Sequence, residues 1–244
     1  MTGGVPVREV PDKHDVLRRL VAMSRSLGQP EKDYVILSEG NTSARIDGAT
    51  FWVKASGVEM HRIDAGGFVE MAFEGVQATL DSSDLSGEQV KHRLMAARVN
   101  PTVQAQPSME TLLHALVLRL GGTRYVAHTH PTPIKAILCA QGAEAAFAGH
   151  IFPAEVVVCG EPLFVPYATP GQPLARAVRE SLRTYNDRYS QPPRVILLQN
   201  HGLVALGPTP EAVIAITAMM VRAARALLGT YALGGPRFIE VNEE

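Results

Sequence analysis

The residues best equipped for chemistry sit in one stretch, Tyr125-Val126-Ala127-His128-Thr129-His130-Pro131. It reads as a short β-strand ending in two histidines. Side chains alternate faces along a strand, so His128 and His130 point the same way, and two imidazoles on one face can bind one metal ion. Pro131 stops the strand, because it has no N–H to give to a ladder. A third histidine, His201, follows the continuous apolar run Val195-Ile196-Leu197-Leu198, which suits a central strand, and precedes Gly202. Glu110 opens the helical pattern just before the His-Thr-His strand. Three strand-end histidines with one open position, plus a nearby carboxylate, could act as a Lewis-acid site with a proton carrier. Four unrelated polar residues, each satisfied locally, are the alternative, and no short-range motif joins residue 130 to residue 201.

The elements that must position these residues are legible in outline. Apolar residues recur at helical spacing over Lys13–Leu27, closed by Gly28 and Pro30. Tyr34–Leu37 and Ala44–Ile46 are β-type runs around Ser38-Glu39-Gly40-Asn41-Thr42-Ser43, which reads as a turn. Asp47-Gly48 is a hairpin signal, Thr50–Lys54 the next strand, and Ala55-Ser56-Gly57 its end. Gly/Ser turns of this kind can offer N–H groups and hydroxyls to an anion, or can simply be turn formers. Phe68–Phe73 reads as a strand. Gln89–Met95 fits strand or helix, and 100–107 is a loop. Ser108 has N-cap character for a helix through Leu120. His114, four residues after Glu110, is a core histidine or an orienter of Glu110. Helices are expected over Pro133–Ala140, Ala143–Ala148, Leu174–Tyr185 and Pro210–Leu228. Short strands are expected at Val156–Val158, Leu163–Val165 and Leu203–Leu206. Mixed hairpins and strand–helix units favour a layered α/β domain with a mixed sheet.

The chain has 244 residues, 46% hydrophobic and 19% charged, with net charge -1. That supports a large core and leaves no basic footprint for nucleic acid. No membrane span or signal pattern is read from the apolar runs. Cys139 and Cys159 are expected to be buried thiols in a reducing cytoplasm. One domain over 1–244 is expected, with an arm at 1–12 and a tail at 229–244.

Taken together, Gly40-Asn41-Thr42-Ser43, Ser56-Gly57, Pro107-Ser108-Met109-Glu110, His128-Thr129-His130-Pro131 and Asn200-His201-Gly202 resemble the class II aldolase/adducin family, in order, from about residue 15 to 228. The resemblance implies a three-layer α/β/α fold with a mixed, mostly antiparallel central sheet, in a homotetramer. It implies His128, His130 and His201 as ligands of Zn²⁺ or another divalent ion such as Mn²⁺. Glu110 would be a movable ligand or the acid/base. Gly40, Asn41, Thr42, Ser43, Ser56, Gly57 and Ser108 would hold a substrate phosphate. The implied activity is that of a lyase. Its expected reaction is aldol cleavage of a C–C bond in a sugar phosphate or related hydroxy-carbonyl compound, through a metal-stabilised enediolate. A decarboxylase, epimerase or dehydratase could use the same metal site, and a non-catalytic adducin-like module is a third reading.

Two positions depart from the family pattern. Met109 stands where a second serine is common, and a thioether cannot donate to phosphate. The region of Phe152-Pro153 brings no tyrosine as proton donor but Glu155 and three valines. Tyr167 or Tyr231 could substitute, from an adjacent subunit if need be.

Overall fold

The computed structural model describes residues 12–240. A seven-stranded sheet, ordered β3-β2-β1-β4-β7-β6-β5, forms the middle layer. The strands are β1 (Asn41–Arg45), β2 (Thr50–Lys54), β3 (Phe68–Ala72), β4 (Tyr125–Thr129), β5 (Leu163–Val165), β6 (Val195–Leu198) and β7 (Gly202–Gly207). Neighbouring strands are antiparallel except for the parallel pair β5–β6.

Helices cover both faces, because alternate residues of the central strands are apolar on each side. On one face lie α1 (Lys13–Leu27), α5 (Thr132–Leu138), α6 (Ala143–Ala146), α7 (Pro153–Cys159) and α9 (Pro210–Tyr231). There Leu20, Ile137, Cys159 and Ile216 pack with Tyr125, Ala127, Leu203 and Ala205 of the sheet. On the other face lie α2 (Phe73–Asp81), α3 (Gly87–Ala96), α4 (Thr111–Val117) and α8 (Gln172–Arg188). Phe73, Leu94, Leu112 and Val178 pack there with Val126, Ile196, Val204 and Leu206. His128 shares the Val126 face, so it points toward the α4 side. Full burial of Leu112 and Leu113, each contributing roughly 1.5–3 kcal/mol, seats α4 on the sheet over β2, with Phe51 and Val53 in the same cluster.

Several expected elements differ. Tyr34–Leu37 is not a strand. It is an irregular segment in which Leu37 adopts a left-handed φ of 51°. Gly40-Asn41-Thr42-Ser43 is not a turn, since β1 starts at Asn41 and pairs Asn41 with His128. Val156–Val158 lies inside α7, where Pro153 at the first turn favours a helix over the strand suggested by three valines. Phe73 opens α2 instead of ending β3. The ambiguous stretch at 89–95 is helical, capped by a reciprocal Ser86–Gln89 box. Cys139 is exposed rather than buried, and Cys159 is buried.

The last helix, α9, is long and apolar enough to cross a membrane by length and composition. Here it lies along the sheet, burying Val213, Ile216, Met220 and Ala224 against α1, α5, α7 and β7. It runs three residues past the expected end at Leu228. The expected N-terminal arm lies outside the described residues up to position 11, as does 241–244 of the tail.

Candidate metal centre

His128 and His130 come from the end of β4, and His201 from the tight turn joining β6 to β7. That turn uses Asn200 at φ 56°, a left-handed position that asparagine tolerates. Gly202 is required beside it. A Cβ there would stand 2.5 Å from His130 Cδ2 and 2.5 Å from the Thr129 carbonyl oxygen. The missing side chain lets the turn close onto the histidine pair. Gly40 plays a similar part at φ 69°, where a Cβ would lie 2.8 Å from the His128 carbonyl.

The three imidazoles converge through their Nε2 atoms. His128 Nε2 lies 2.9 Å from His130 Nε2 and 3.3 Å from His201 Nε2. Glu110 Oε1 closes the group at 3.1 Å from His201 Nε2 and 3.5 Å from His128 Nε2. His128 Nδ1–H donates to the Leu203 carbonyl at 3.0 Å, so in the neutral ring Nε2 carries the lone pair and faces the cluster. Two imidazole lone pairs this close repel unless positive charge lies between them. Zinc–nitrogen bonds of about 2.0–2.1 Å at tetrahedral angles set donor atoms about 3.3 Å apart, which is close to the spacing found here. Three imidazoles and a carboxylate suit zinc or a similar divalent ion. The donor set therefore fits a metal ion, and the three histidines form a group that could hold one.

The electrostatics agree. Burial acts to raise the Glu110 carboxyl, but the charges and hydrogen bonds of His128 and His201 outweigh it and hold it well below the usual carboxylate range. Burial likewise opposes charge on His128, and Glu110 overcomes it to raise His128 above the ordinary histidine value. His130, buried and facing the His128 charge, is pushed down to about 4. The pocket thus favours cationic charge close to Glu110.

Glu110 caps α4 without a side-chain cap bond. Its N–H donates to Ser108 Oγ at 3.2 Å, so Ser108 shapes the turn before α4 instead of capping the helix itself. Freed from capping, the Glu110 carboxylate accepts from the Asn41 amide on Oε2 and turns Oε1 to the histidines. His114 does not orient Glu110 through its ring. Its Nδ1 meets Ser43 Oγ at 2.7 Å in the core, and complete burial pushes it down to about 3.

The remaining expected residues divide by strand alternation. Thr42 and Ser43 are fully buried. The Thr42 hydroxyl meets Ser24 Oγ of α1 at 2.6 Å, and Ser43 meets His114. Both hydroxyls face the interior, because β1 and not a turn carries them. Gly40 and Asn41 stay beside His128. Ser56 and Gly57 are exposed, and Ser56 N–H donates to the Gln106 carbonyl at 2.8 Å. With the Ala55–Pro107 bridge, this brings Ser56 and Gly57 alongside Ser108. Met109 packs into the α4-side core, with its methyl 3.5 Å from where a Gly171 Cβ would be. Tyr167 is 59% exposed, and its N–H donates to Gln199 Oε1, two residues before His201. Tyr231 lines a separate cleft with Ala140 and Leu228. Glu155 is buried and accepts from Ile151 N–H.

Two residues were not singled out from the sequence. Glu39 Oε2 meets His130 Nδ1 at 3.1 Å. Lys54 is 1% exposed, with its ammonium donating to the Ser38 and Ala55 carbonyls at 3.2 and 3.3 Å. Burial pushes it down to about 8 despite the nearby Glu110 charge. The sequence carries no signal for Lys54, because strand alternation places it with the half-buried Thr50 and Trp52, opposite Phe51 and Val53.

Residues 18–228 match the family model for the class II aldolase and adducin N-terminal domain. The chain belongs to the class II aldolase/adducin family. Its fold is similar to that of the N-terminal class II aldolase domain of a conserved Thermoplasma acidophilum protein. That match has a TM-score of 0.69 at 24% identity and covers 93% of this chain and 100% of the other. L-fuculose-1-phosphate aldolase from Thermus thermophilus is similar at TM-score 0.61 and 19% identity, over 91% of this chain and 100% of that one. YgbL from Klebsiella pneumoniae, a candidate aldolase/epimerase/decarboxylase, gives TM-score 0.68 at 19% identity, over 93% and 95%. A Bacillus subtilis (strain 168) protein named uncharacterized oxidoreductase YuxG is 27% identical over 180 residues, 70% of this chain. The chain matches 24% of that protein's length.

Proposed function

We propose that the protein is a divalent-metal-dependent lyase that cleaves a C–C bond of an anionic hydroxy-carbonyl compound, in the manner of a class II aldolase. The observation that carries this reading is the convergence of the three histidine Nε2 atoms, with Glu110 Oε1 beside those of His128 and His201. His128, His130 and His201 would hold Zn²⁺ or Mn²⁺, which when bound supplies Lewis-acid stabilisation of negative charge on a substrate oxygen.

The chain's own groups supply the rest. Glu110, kept ionised and steered by Asn41, accepts or returns the proton at Oε1. Tyr167, whose exposed side chain lies on a segment tethered next to His201, is the candidate donor of a proton to the carbanion left when the C–C bond breaks, the hydroxyl proton having gone to Glu110. The exposed Ser56–Gly57 turn beside Ser108, with Gly40 and Asn41, forms the seat for the substrate's anionic end. The Lys54 ammonium beneath adds positive potential. Holding that end fixes the reacting carbons against Glu110, and such positioning is a large source of rate.

The test is to load the purified protein with Zn²⁺ or Mn²⁺ and incubate it with ketose phosphates, their unphosphorylated forms and β-keto acids. Dihydroxyacetone phosphate or a free aldehyde among the products supports aldol cleavage. CO₂ release would replace it with the decarboxylase reading. Met109 gives that second reading its support, because a methionine beside Ser108 removes one donor from a phosphate seat and leaves a smaller carboxylate better matched.

A further inference from the structure

We infer that Glu39 is a positioning residue for His130, fixing the tautomer that presents Nε2 to the metal; this rests on the metal-site reading above.

The three candidate ligands are held differently. His128 Nδ1 is tied to a backbone carbonyl of the sheet, Leu203 O. His201 Nδ1 is buried with no hydrogen-bond partner among the described residues. His130 lies past the end of β4, where no ladder can orient it, and its Nδ1 faces Glu39 Oε2 at 3.1 Å. An ionised carboxylate only accepts, so His130 Nδ1 must carry the proton and Nε2 the lone pair. The carboxylate also makes that lone pair more basic, as outer-shell partners of metal-bound histidines do.

The backbone around Glu39 is built to hold it there. Residues 34–40 wrap His130 from both sides. His130 N–H donates to the Tyr34 carbonyl at 2.8 Å, and Glu39 N–H donates to the Ile36 carbonyl at 3.0 Å. The Ser38 carbonyl, one residue before Glu39, receives the buried Lys54 ammonium. Leu37 and Gly40, both at positive φ, let the segment fold back over the ring. Lys54 thus anchors from below the strap that carries Glu39. The Glu39 side chain is 36% exposed, so nothing in the core demands a carboxylate there, and its contact with His130 accounts for it.

The test uses metal-free protein, titrated with Zn²⁺ alone in competition with a chromophoric chelator. Glu39→Ala is expected to weaken zinc binding roughly 10- to 100-fold while one site per chain remains. Glu39→Gln keeps an acceptor oxygen without the charge and is expected to fall between Ala and wild type. In ¹⁵N-histidine NMR of the metal-free proteins, His130 is expected as the Nδ1–H tautomer in wild type and as a mixture in Glu39→Ala. The His130→Gln spectrum assigns the signal. A merely structural contact would leave the tautomer unmoved. Unchanged zinc affinity and an unchanged tautomer in Glu39→Ala overturn the inference alone. A wild-type protein that takes up no zinc removes the metal-site reading, and this inference with it.

Discussion

Asn41 and Glu110 meet across the seam between β1 and α4, and the amide takes one carboxylate oxygen so that the other faces His201 at 3.1 Å. The strand sets where the amide lies, and the helix start sets where the carboxylate lies. Glu110→Gln keeps the shape but removes the proton acceptor. It should bind metal and lose turnover by about 10²–10⁴-fold. Asn41→Ala should lose less, on the order of tenfold, because it removes one charge-assisted hydrogen bond worth about 1.5–3 kcal/mol. Metal content and turnover measured on both variants decide between proton transfer and metal holding as the role of Glu110.

Removing a histidine acts on the cation first. His130→Ala and His201→Ala should each lose bound metal and activity together, since each removes one of three converging Nε2 donors and leaves a carboxylate already engaged by the Asn41 amide to make up the set. Elemental analysis after dialysis checks this. A fully loaded His130→Ala protein would refute the site.

Gly202→Ala would test the turn that brings His201 to its partners. The added Cβ meets the Thr129 carbonyl and the His130 ring at 2.5 Å, and a backbone oxygen cannot rotate away. A cost of about 1–3 kcal/mol is expected, together with weaker zinc binding. Denaturant unfolding and a zinc titration on one preparation would separate the two effects.

Lys54 gives the fold a pH signature. Its folded value of about 8 lies below the unfolded 10.5 because burial disfavours the charged form. Between those values the unfolded chain binds more protons, so stability should rise with pH across that window, by roughly 3 kcal/mol, and should lack that contribution below it. Lys54→Met should lose that part of the slope, and it also leaves the Ser38 and Ala55 carbonyls without the ammonium that they accept from. Unfolding of metal-free wild type and variant from pH 7 to 10 isolates the difference.

The helices α1 and α9 and the strands β2, β4 and β6 could be read from periodicity, because their apolar pattern and caps agree. The histidine set was readable as a candidate cluster only with the help of the family resemblance, since residues 130 and 201 meet only through the β4–β7 pairing. Glu39 was hidden because Tyr34–Leu37 has β-type composition, and the positive φ of Leu37 has no sequence mark. Thr42 and Ser43 looked like turn residues until pairing with β4 turned their hydroxyls inward. Helix α3 did carry a signal, the Ser86–Gln89 capping box, which its weak apolar periodicity obscured.

Glu110, His130 and His201 belong to segments far apart along the chain, and a cation held among them would act as a crosslink. It would close long stretches of chain that the unfolded state leaves open. Occupancy would then govern lifetime as well as chemistry. At a free metal concentration about a hundred times Kd, the native state gains about 2.7 kcal/mol, and a chelator should lower the melting temperature accordingly. A cell that withholds the ion would hold less of this protein, as well as a less active form of it.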